Sequence, residues 1–264
     1  MLVHAGEGER DFERSAELAR RAEDSSAEHA ALSARLRPIA YGPTHAVDGI
    51  AFCDMLLTHQ TANVGEQVHA LQVRALLAAM RGDLELTRTS GSAAFALVEE
   101  FGLVLQKGTY AVDIGLAQAL SGDLDAAERE LRVGNELLAA MGETGTRATL
   151  TAVLADVAFR QGRDDDAVRL AEESRAISGA DDLDAQPRWR AALARTLARR
   201  GEHADAERLA REAIELLEPT DFVGLQADAF DSLADVLRSA GRVDDAVAAV
   251  ERAFVLHERK GNVV

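Results

Sequence analysis

Three ionisable residues recur at nearly constant spacing in the second half of the sequence. Asp156, Arg195 and Asp235 each stand six residues before a glycine, and neighbours are 39 or 40 positions apart. If each lies on the equivalent helix of a repeat, they form a row of acid, base and acid across adjacent helices. Such a row can bind a peptide or a small polar ligand, or it can join the helices through ion pairs. Further candidates for the same groove are Arg188, Arg199, Asp228 and Asp231.

The elements that position these residues are helices separated by regularly spaced glycines. Five glycines recur every 39 or 40 residues: Gly82, Gly122, Gly162, Gly201 and Gly241. Apolar residues precede them at the i, i+3, i+4, i+7 spacing of an amphipathic helix. Acidic residues usually follow them and can cap the next helix. Alanine stands five positions after four of them, where a small side chain lets two helices approach closely.

This pattern predicts an all-α fold: a right-handed α-α superhelix, or solenoid, of about six antiparallel helix pairs. The whole chain, 1–264, is expected to form one array with units near 1–25, 26–62, 63–102, 103–142, 143–180, 181–219 and 220–264. We expect Gly91 to interrupt its helix. We expect 9–24 to be the second helix of a unit that turns at Gly6 or Gly8.

The two ends of the array are expected to differ from its middle. Residues 26–37 and 44–60 are predicted to form a helix pair joined through the loop "PIAYGPT". Neither end of the sequence carries the polar cap that terminal units of a solenoid normally have. We therefore expect a piece of a longer protein, or an array that covers its ends by self-association, with a homodimer as one candidate state.

Charge and composition exclude several classes of function. The net charge of −16 and pI of about 4.9 argue against binding to nucleic acid or to an anionic membrane. One cysteine, Cys53, excludes an internal disulfide and is typical of a reducing cytoplasm. The sequence contains neither a signal peptide nor an apolar run long enough to span a bilayer. We predict a cytoplasmic protein.

The sequence gives no support for catalysis or for a cofactor. It lacks the G-x-x-x-x-G-K-[ST] loop that binds phosphates, and His45, Cys53, His59 and His69 match no zinc spacing. Acidic runs at 164–166 and 181–184 are interpreted as helix-dipole partners rather than calcium ligands. Trp189 is interpreted as an anchor packed between units. We predict no catalytic residue, no metal site and no cofactor.

Two resemblances add an expectation about function. The glycine-to-alanine spacing resembles the tetratricopeptide repeat. So do the small residues seven positions before each glycine, which are Ala75, Gly115, Ala155, Ala194 and Ala234. The stretches "DLDAQPRWRAALARTLARRGE" and "ADVLRSAGRVDDAVAAVERAFVLHERKGN" are similar to the C-terminal repeat region of large bacterial signalling proteins, which join a nucleotide-cyclase or transcription-activator domain to an ATPase domain. This resemblance covers most of 38–262.

The resemblance implies a regulatory module that binds protein, peptide or the neighbouring domains of its parent protein, and any cyclase or ATPase activity would belong to those other domains. The alternative is a sensor domain that binds a small molecule or a peptide in its concave groove. The polar residues of the candidate groove motivate this alternative, which the sequence leaves open.

Overall fold

The computed structural model describes residues 4–58 and 63–264, and within these ranges it contains fourteen α-helices and no strand. The N-terminal part has four: α1 (Ala5–Arg21), α2 (Ser25–Ala34), α3 (Leu36–Tyr41) and α4 (Ala46–Thr58). Five pairs follow: α5 (Val64–Met80) and α6 (Leu84–Glu100), α7 (Val104–Leu120) and α8 (Leu124–Ala140), α9 (Gly145–Arg160) and α10 (Asp164–Ile177), α11 (Ala185–Arg199) and α12 (His203–Leu217), α13 (Val223–Ser239) and α14 (Val243–Lys260). The predicted all-α class is confirmed.

The five helix pairs stack side by side as repeats of one superhelical array. Helices α5, α7, α9, α11 and α13 contact one another in chain order and form one layer, and each even-numbered partner packs against the helix before it. Two cavities are lined largely by side chains of this odd-numbered layer, and we take the layer as the concave face of the array. None of the helices in the described ranges combines the length and apolar character that crossing a bilayer requires.

The predicted glycines make the turns within the pairs. All five have the positive φ that strains other residues: Gly82 (69°), Gly122 (85°), Gly162 (77°), Gly201 (85°) and Gly241 (75°). The expectation that Gly91 interrupts a helix is wrong, because α6 runs through it from Leu84 to Glu100. A single internal glycine costs a helix only about 1 kcal/mol, and the Tyr110 hydroxyl donates a hydrogen bond to the Gly91 carbonyl at 3.1 Å.

The capping prediction holds for some helices only. Asp83 and Asp123 accept hydrogen bonds from the backbone N–H groups of Leu86 and Ala126, both at 2.9 Å. Helices α10, α12 and α14 begin without a side-chain cap. In α10 and α14 the acidic residues lie inside the first turn, where they act on the positive end of the helix dipole.

Small residues on the second helices make room for their partners, as predicted. All four predicted alanines are buried: Ala127, Ala167, Ala206 and Ala246. Between α7 and α8 the approach is closer still, since a Cβ atom added to Gly134 would lie 3.0 Å from the carbonyl oxygen of Gly108. Leucines on α8 and α9 then fill the space between layers, and Leu131, Leu138 and Leu150 are fully buried.

The N-terminal part differs from the prediction in two places. Gly6 and Gly8 do not make a turn but lie buried in the first turn of α1. Residues of the predicted loop "PIAYGPT" instead end the short helix α3, whose Leu36, Ile39 and Ala40 are buried. Burying these apolar side chains stabilises a helix that a sequence containing Pro38 does not suggest.

The expectation of two uncapped ends stays a prediction, while residues near both ends of the described chain contact other helices of the array. The Asp221 carboxylate, just before α13, accepts hydrogen bonds from the N–H groups of Ala5 and Gly6, the latter at 2.8 Å. The N–H of Val263 donates to the carbonyl of Met80 at 2.8 Å. These contacts satisfy backbone groups at the start of α1 and the end of α5 that would otherwise lack partners.

Candidate functional site

Five of the seven predicted site residues surround one cavity in the concave face. This cavity, which we call the inner cavity, has a volume of about 220 Å³ and lies between α7, α9, α11 and α13. Its predicted charged residues are Asp156 on α9, Arg188 and Arg195 on α11, and Asp228 and Asp231 on α13. Residues separated by up to 75 positions thus face the same space because successive odd-numbered helices lie side by side.

The remaining wall of the inner cavity is mostly apolar. It is formed by Leu116, Ala119, Leu120, Ala152, Val153 and Ala191. Arg160 also lines it, but one of its nitrogens, Nη2, already donates to the Ala119 carbonyl at 2.9 Å. The inner cavity therefore combines several charged groups with aliphatic surface in one lining, as small-molecule sites commonly do.

The predicted row of acid, base and acid is only half present. Arg195 Nη2 lies 2.5 Å from Asp156 Oδ1, so one ion pair joins α9 to α11. Asp235 does not continue the row, because it pairs at 2.7 Å with Arg238 one turn further along its own helix. A charge partner three residues away is reached more easily than one on a neighbouring helix.

Arg199 also lies away from the inner cavity. Its guanidinium stacks on the Phe159 ring at 3.8 Å from the ring centre. It also forms an ion pair with Asp164 at 2.6 Å and donates to the Phe159 carbonyl at 3.1 Å. These contacts join the end of α11 to the turn between α9 and α10, so Arg199 fits the structural interpretation of the charged residues.

Arg188 and Asp228 are the two charged residues of the inner cavity that form no ion pair with any residue the structure describes. The Nε of Arg188 is buried and has no hydrogen-bond acceptor within the described ranges. Asp228 is exposed to the groove, yet the surrounding protein atoms displace enough water to raise the pKa of its carboxyl, against the opposing effect of the Arg188 charge. The two side chains act on each other electrostatically without forming an ion pair.

Sequence reasoning missed His257, which lies on α14 beside the predicted acids. Its Nε2 is 2.8 Å from Asp231 Oδ2, and this hydrogen bond raises the pKa of His257 above its ordinary value. Oxygen and nitrogen atoms of Asp228, Asp231 and His257 lie within 4.8 Å of one another, a set that a divalent cation could use. The sequence prediction placed only the first helix of each pair along the groove. It therefore could not identify His257, which lies on the second helix of the last pair.

A second, larger cavity was not predicted. This outer cavity, of about 680 Å³, is lined by side chains of α3, α5, α7 and α9 and by the segment before α11. Across it, the Tyr41 hydroxyl donates to the Asp113 carboxylate, and Arg37 pairs with Asp184. The sequence did not indicate this cavity, because Arg37 and Tyr41 belong to α3 and part of α3 was predicted to be a loop.

The other residues considered in the sequence have ordinary structural surroundings. Trp189 is 3% exposed, in agreement with an anchor, and the Arg190 guanidinium lies 4.1 Å from its ring centre. Cys53 is fully buried, and this burial raises the pKa of its thiol to about 12. His59 lies outside the described residues. The predicted absence of a metal and of catalytic residues stays a prediction.

Comparison with known proteins supports the repeat assignment. Residues 146–218, which include α10 to α12 and all of α9 but its first residue, match the family described as tetratricopeptide repeat. This segment of the chain is therefore similar to tetratricopeptide repeats. No curated protein matches it. The family match includes the helices that carry Asp156, Arg188 and Arg195.

Solved structures resemble this tetratricopeptide-like array along most of its length. The structure of NprR in complex with its cognate peptide NprX has a TM-score of 0.63 at 12% identity, covering 98% of this chain and 80% of that one. The apo form of the quorum sensor NprR from B. thuringiensis gives 0.57 at 10% identity, with coverages of 95% and 75%. BtubC from P. vanneervenii gives 0.52 at 18% identity, with coverages of 83% and 91%. At such identities the likeness shows the fold alone.

Proposed function

We propose that this chain is a non-catalytic interaction module that binds a protein or peptide on its concave face. The supporting observation is the outer cavity of about 680 Å³, whose lining comes from α3, α5, α7 and α9. Stacked repeats provide extended concave surfaces of this kind for binding. Because the lining combines several helices, a bound segment would contact more than one repeat at once.

The charge of the outer cavity favours a basic partner segment. Its acidic side chains are Glu66, Asp113, Asp182 and Asp184, whereas Arg37 is its one arginine among the described residues. The chain as a whole carries a net charge of −16. Charge complementarity increases both association rate and specificity. The fold likeness to NprR, solved with its cognate peptide, supports a peptide or an extended segment as the occupant.

The biological setting belongs to the same proposal. The sequence resemblance supports a regulatory module of a cytoplasmic bacterial signalling or transcription-regulatory protein, acting on a partner or on neighbouring domains of its parent protein. The acidic surface supports a role without direct contact to nucleic acid or membrane. The proposed division into repeat units, and self-association as a homodimer, are part of this hypothesis.

A peptide-display library selected on the purified chain tests the proposal, with affinities measured by calorimetry on synthetic peptides. We expect the selected peptides to carry basic residues. Asp113→Asn removes one charge from the outer cavity and should weaken binding about tenfold, or about 1.4 kcal/mol. Asp205→Asn, an exposed position on α12, is the matched control. If no peptide is enriched, or if both variants bind equally well, the concave face is not the binding surface.

A second candidate function is favoured by the inner cavity. Its volume of about 220 Å³ and its unpaired Arg188 and Asp228 support a sensor for a small polar molecule. A thermal-shift screen with sugars, nucleotides and amino acids tests this function, using Arg195→Ala as a variant that alters the wall. A screen that produces no shift overturns it.

A further inference from the structure

We infer that the inner cavity binds a free α-amino acid with a small aliphatic side chain, whose carboxylate contacts Arg188 and whose ammonium group contacts Asp228 and Asp231. This inference rests on the sensor function proposed above and names its ligand class. It is independent of any protein or peptide bound in the outer cavity, since the two cavities have different linings.

Arg188 is the cation available to a ligand carboxylate. The other two arginines of the inner cavity are engaged, since Arg160 donates to the Ala119 carbonyl and Arg195 pairs with Asp156. The Nε of Arg188 is buried without an acceptor, and no ion pair to Arg188 is found among residues 4–58 and 63–264. A guanidinium offers parallel N–H groups that match a carboxylate in a bidentate contact.

Asp228 and Asp231 are the acceptors available to an ammonium group. Asp228 lines the inner cavity, and among the described residues the nearby His257 imidazole bonds to Asp231 rather than to Asp228. Asp231 contacts His257 through Oδ2, and within residues 4–58 and 63–264 its other oxygen, Oδ1, has no hydrogen-bond donor. An ammonium group has three N–H donors and no acceptor, so carboxylates on successive turns of α13 can both bind it.

The placement of opposite charges decides between classes of ligand. Arg188 on α11 and Asp228 on α13 face one cavity yet remain apart, although the Arg188 charge acts on the Asp228 carboxyl. A molecule inserted between them satisfies both only if it carries a carboxylate and an ammonium group close together. A free α-amino acid has both on one carbon atom, whereas either end of a peptide has only one of them.

Volume and wall chemistry restrict the ligand side chain. About 220 Å³ is less than the roughly 300–1,000 Å³ of sites for drug-sized ligands. Leu116, Leu120 and Val153 give the inner cavity aliphatic surface, and burying each additional CH₂ of a ligand there contributes about 0.8 kcal/mol. Alanine, valine and leucine therefore fit this surface better than acidic, basic or aromatic amino acids.

Isothermal titration of the full chain with L-alanine, L-valine and L-leucine tests the inference. We expect saturable binding of at least one, and at least tenfold weaker binding of its methyl ester and its N-acetyl derivative. Arg188→Gln and Asp228→Asn should each weaken binding at least tenfold while circular dichroism stays unchanged. Arg211→Gln and Asp205→Asn, exposed positions on α12, should bind like the unmodified chain.

Three outcomes overturn the inference. Absence of binding by all three amino acids does so, as does an N-acetyl derivative that binds as tightly as the free amino acid, since the site then recognises a carboxylate alone. The inference is also overturned if the cavity variants and the α12 variants lose equal amounts of binding affinity. If sugars or nucleotides shift the melting temperature while amino acids do not, the sensor function survives and only this ligand class is wrong.

Discussion

The side-chain nitrogen of Lys260 lies 2.6 Å from the carbonyl oxygen of Ile39, a residue 221 positions earlier in the chain. The same nitrogen donates to the carbonyls of Gly42 at 3.1 Å and Thr44 at 2.9 Å. Three acceptors match the three N–H groups of the protonated amine, while burial lowers the pKa of this amine to about 7. One buried side chain therefore joins the last helix to the N-terminal part.

Removing this amine should loosen the contact between the two ends. Lys260→Met keeps the aliphatic stem but leaves three buried carbonyls without their donor, which should cost at least about 2 kcal/mol of unfolding free energy. Urea unfolding followed by circular dichroism measures the loss. Lys107→Met is the matched control, because Lys107 forms a partly exposed pair with Glu99 and should cost no more than about 1 kcal/mol. Equal effects of the two variants would contradict the importance of the Lys260 contacts.

Close packing of α7 against α8 predicts opposite effects for two mid-helix glycines. A Cβ at Gly134 would lie against Ala111 Cβ and 3.0 Å from the Gly108 carbonyl oxygen, both on α7, so Gly134→Ala should destabilise the fold by about 1–3 kcal/mol through overpacking. A Cβ at Gly91 would meet only Ile114 Cδ1 at 3.7 Å. Gly91→Ala should therefore stabilise the chain by about 0.5–1 kcal/mol through helix propensity. Thermal unfolding of the two variants checks the difference in sign.

The turn glycines predict a conformational rather than a steric effect. Gly122 has a φ of 85° and open space where a Cβ would lie, so Gly122→Ala should cost about 1–2 kcal/mol in backbone strain alone. Gly224, in the first turn of α13, has equally open surroundings and no positive φ. Gly224→Ala should be neutral or slightly stabilising. Chemical denaturation that finds the two variants equally stable would show that the turn is not strained.

Stability should depend on pH through His257. The hydrogen bond to Asp231 raises the folded-state pKa of His257, so its stabilising effect is complete below the unfolded pKa of about 6.5 and is lost as pH rises through the higher folded value. NMR titration should show that Asp231→Asn lowers the pKa of His257 and reduces this pH dependence. His4→Gln, at an exposed N-terminal position, should leave it unchanged. A pKa of His257 that does not respond to Asp231→Asn would refute the assignment.

Cys53 should be chemically inert in the folded chain. It is fully buried and its thiol pKa is raised to about 12, so almost no thiolate is present at neutral pH. We expect no reaction with a thiol reagent such as DTNB until urea unfolds the protein, and one equivalent afterwards. Rapid labelling of the native chain would show that the N-terminal helices open readily.

Much of the fold could be predicted because its signals are local. The positive φ of Gly162, the burial of Ala167 and the burial of Trp189 all follow from residues within a few turns of one another. The inner cavity was partly predictable for a related reason. Since equivalent positions of successive repeats face the same side, counting from each glycine brought Asp156 and Arg195 together.

The sequence by itself determined the repeat: the glycine turns within the pairs, the buried alanines that follow four of them, and five of the seven charged positions that line the inner cavity. Only the tertiary structure decided that Lys260 reaches Ile39, that His257 joins Asp231 and that Asp235 turns to Arg238 instead of Arg195. The physical reason is that spacing specifies relations within a helix or between neighbouring repeats. Contacts between residues far apart in the chain depend on the overall curvature of the array. That curvature accumulates from a small rotation at each helix pair, and no short stretch of sequence specifies the total.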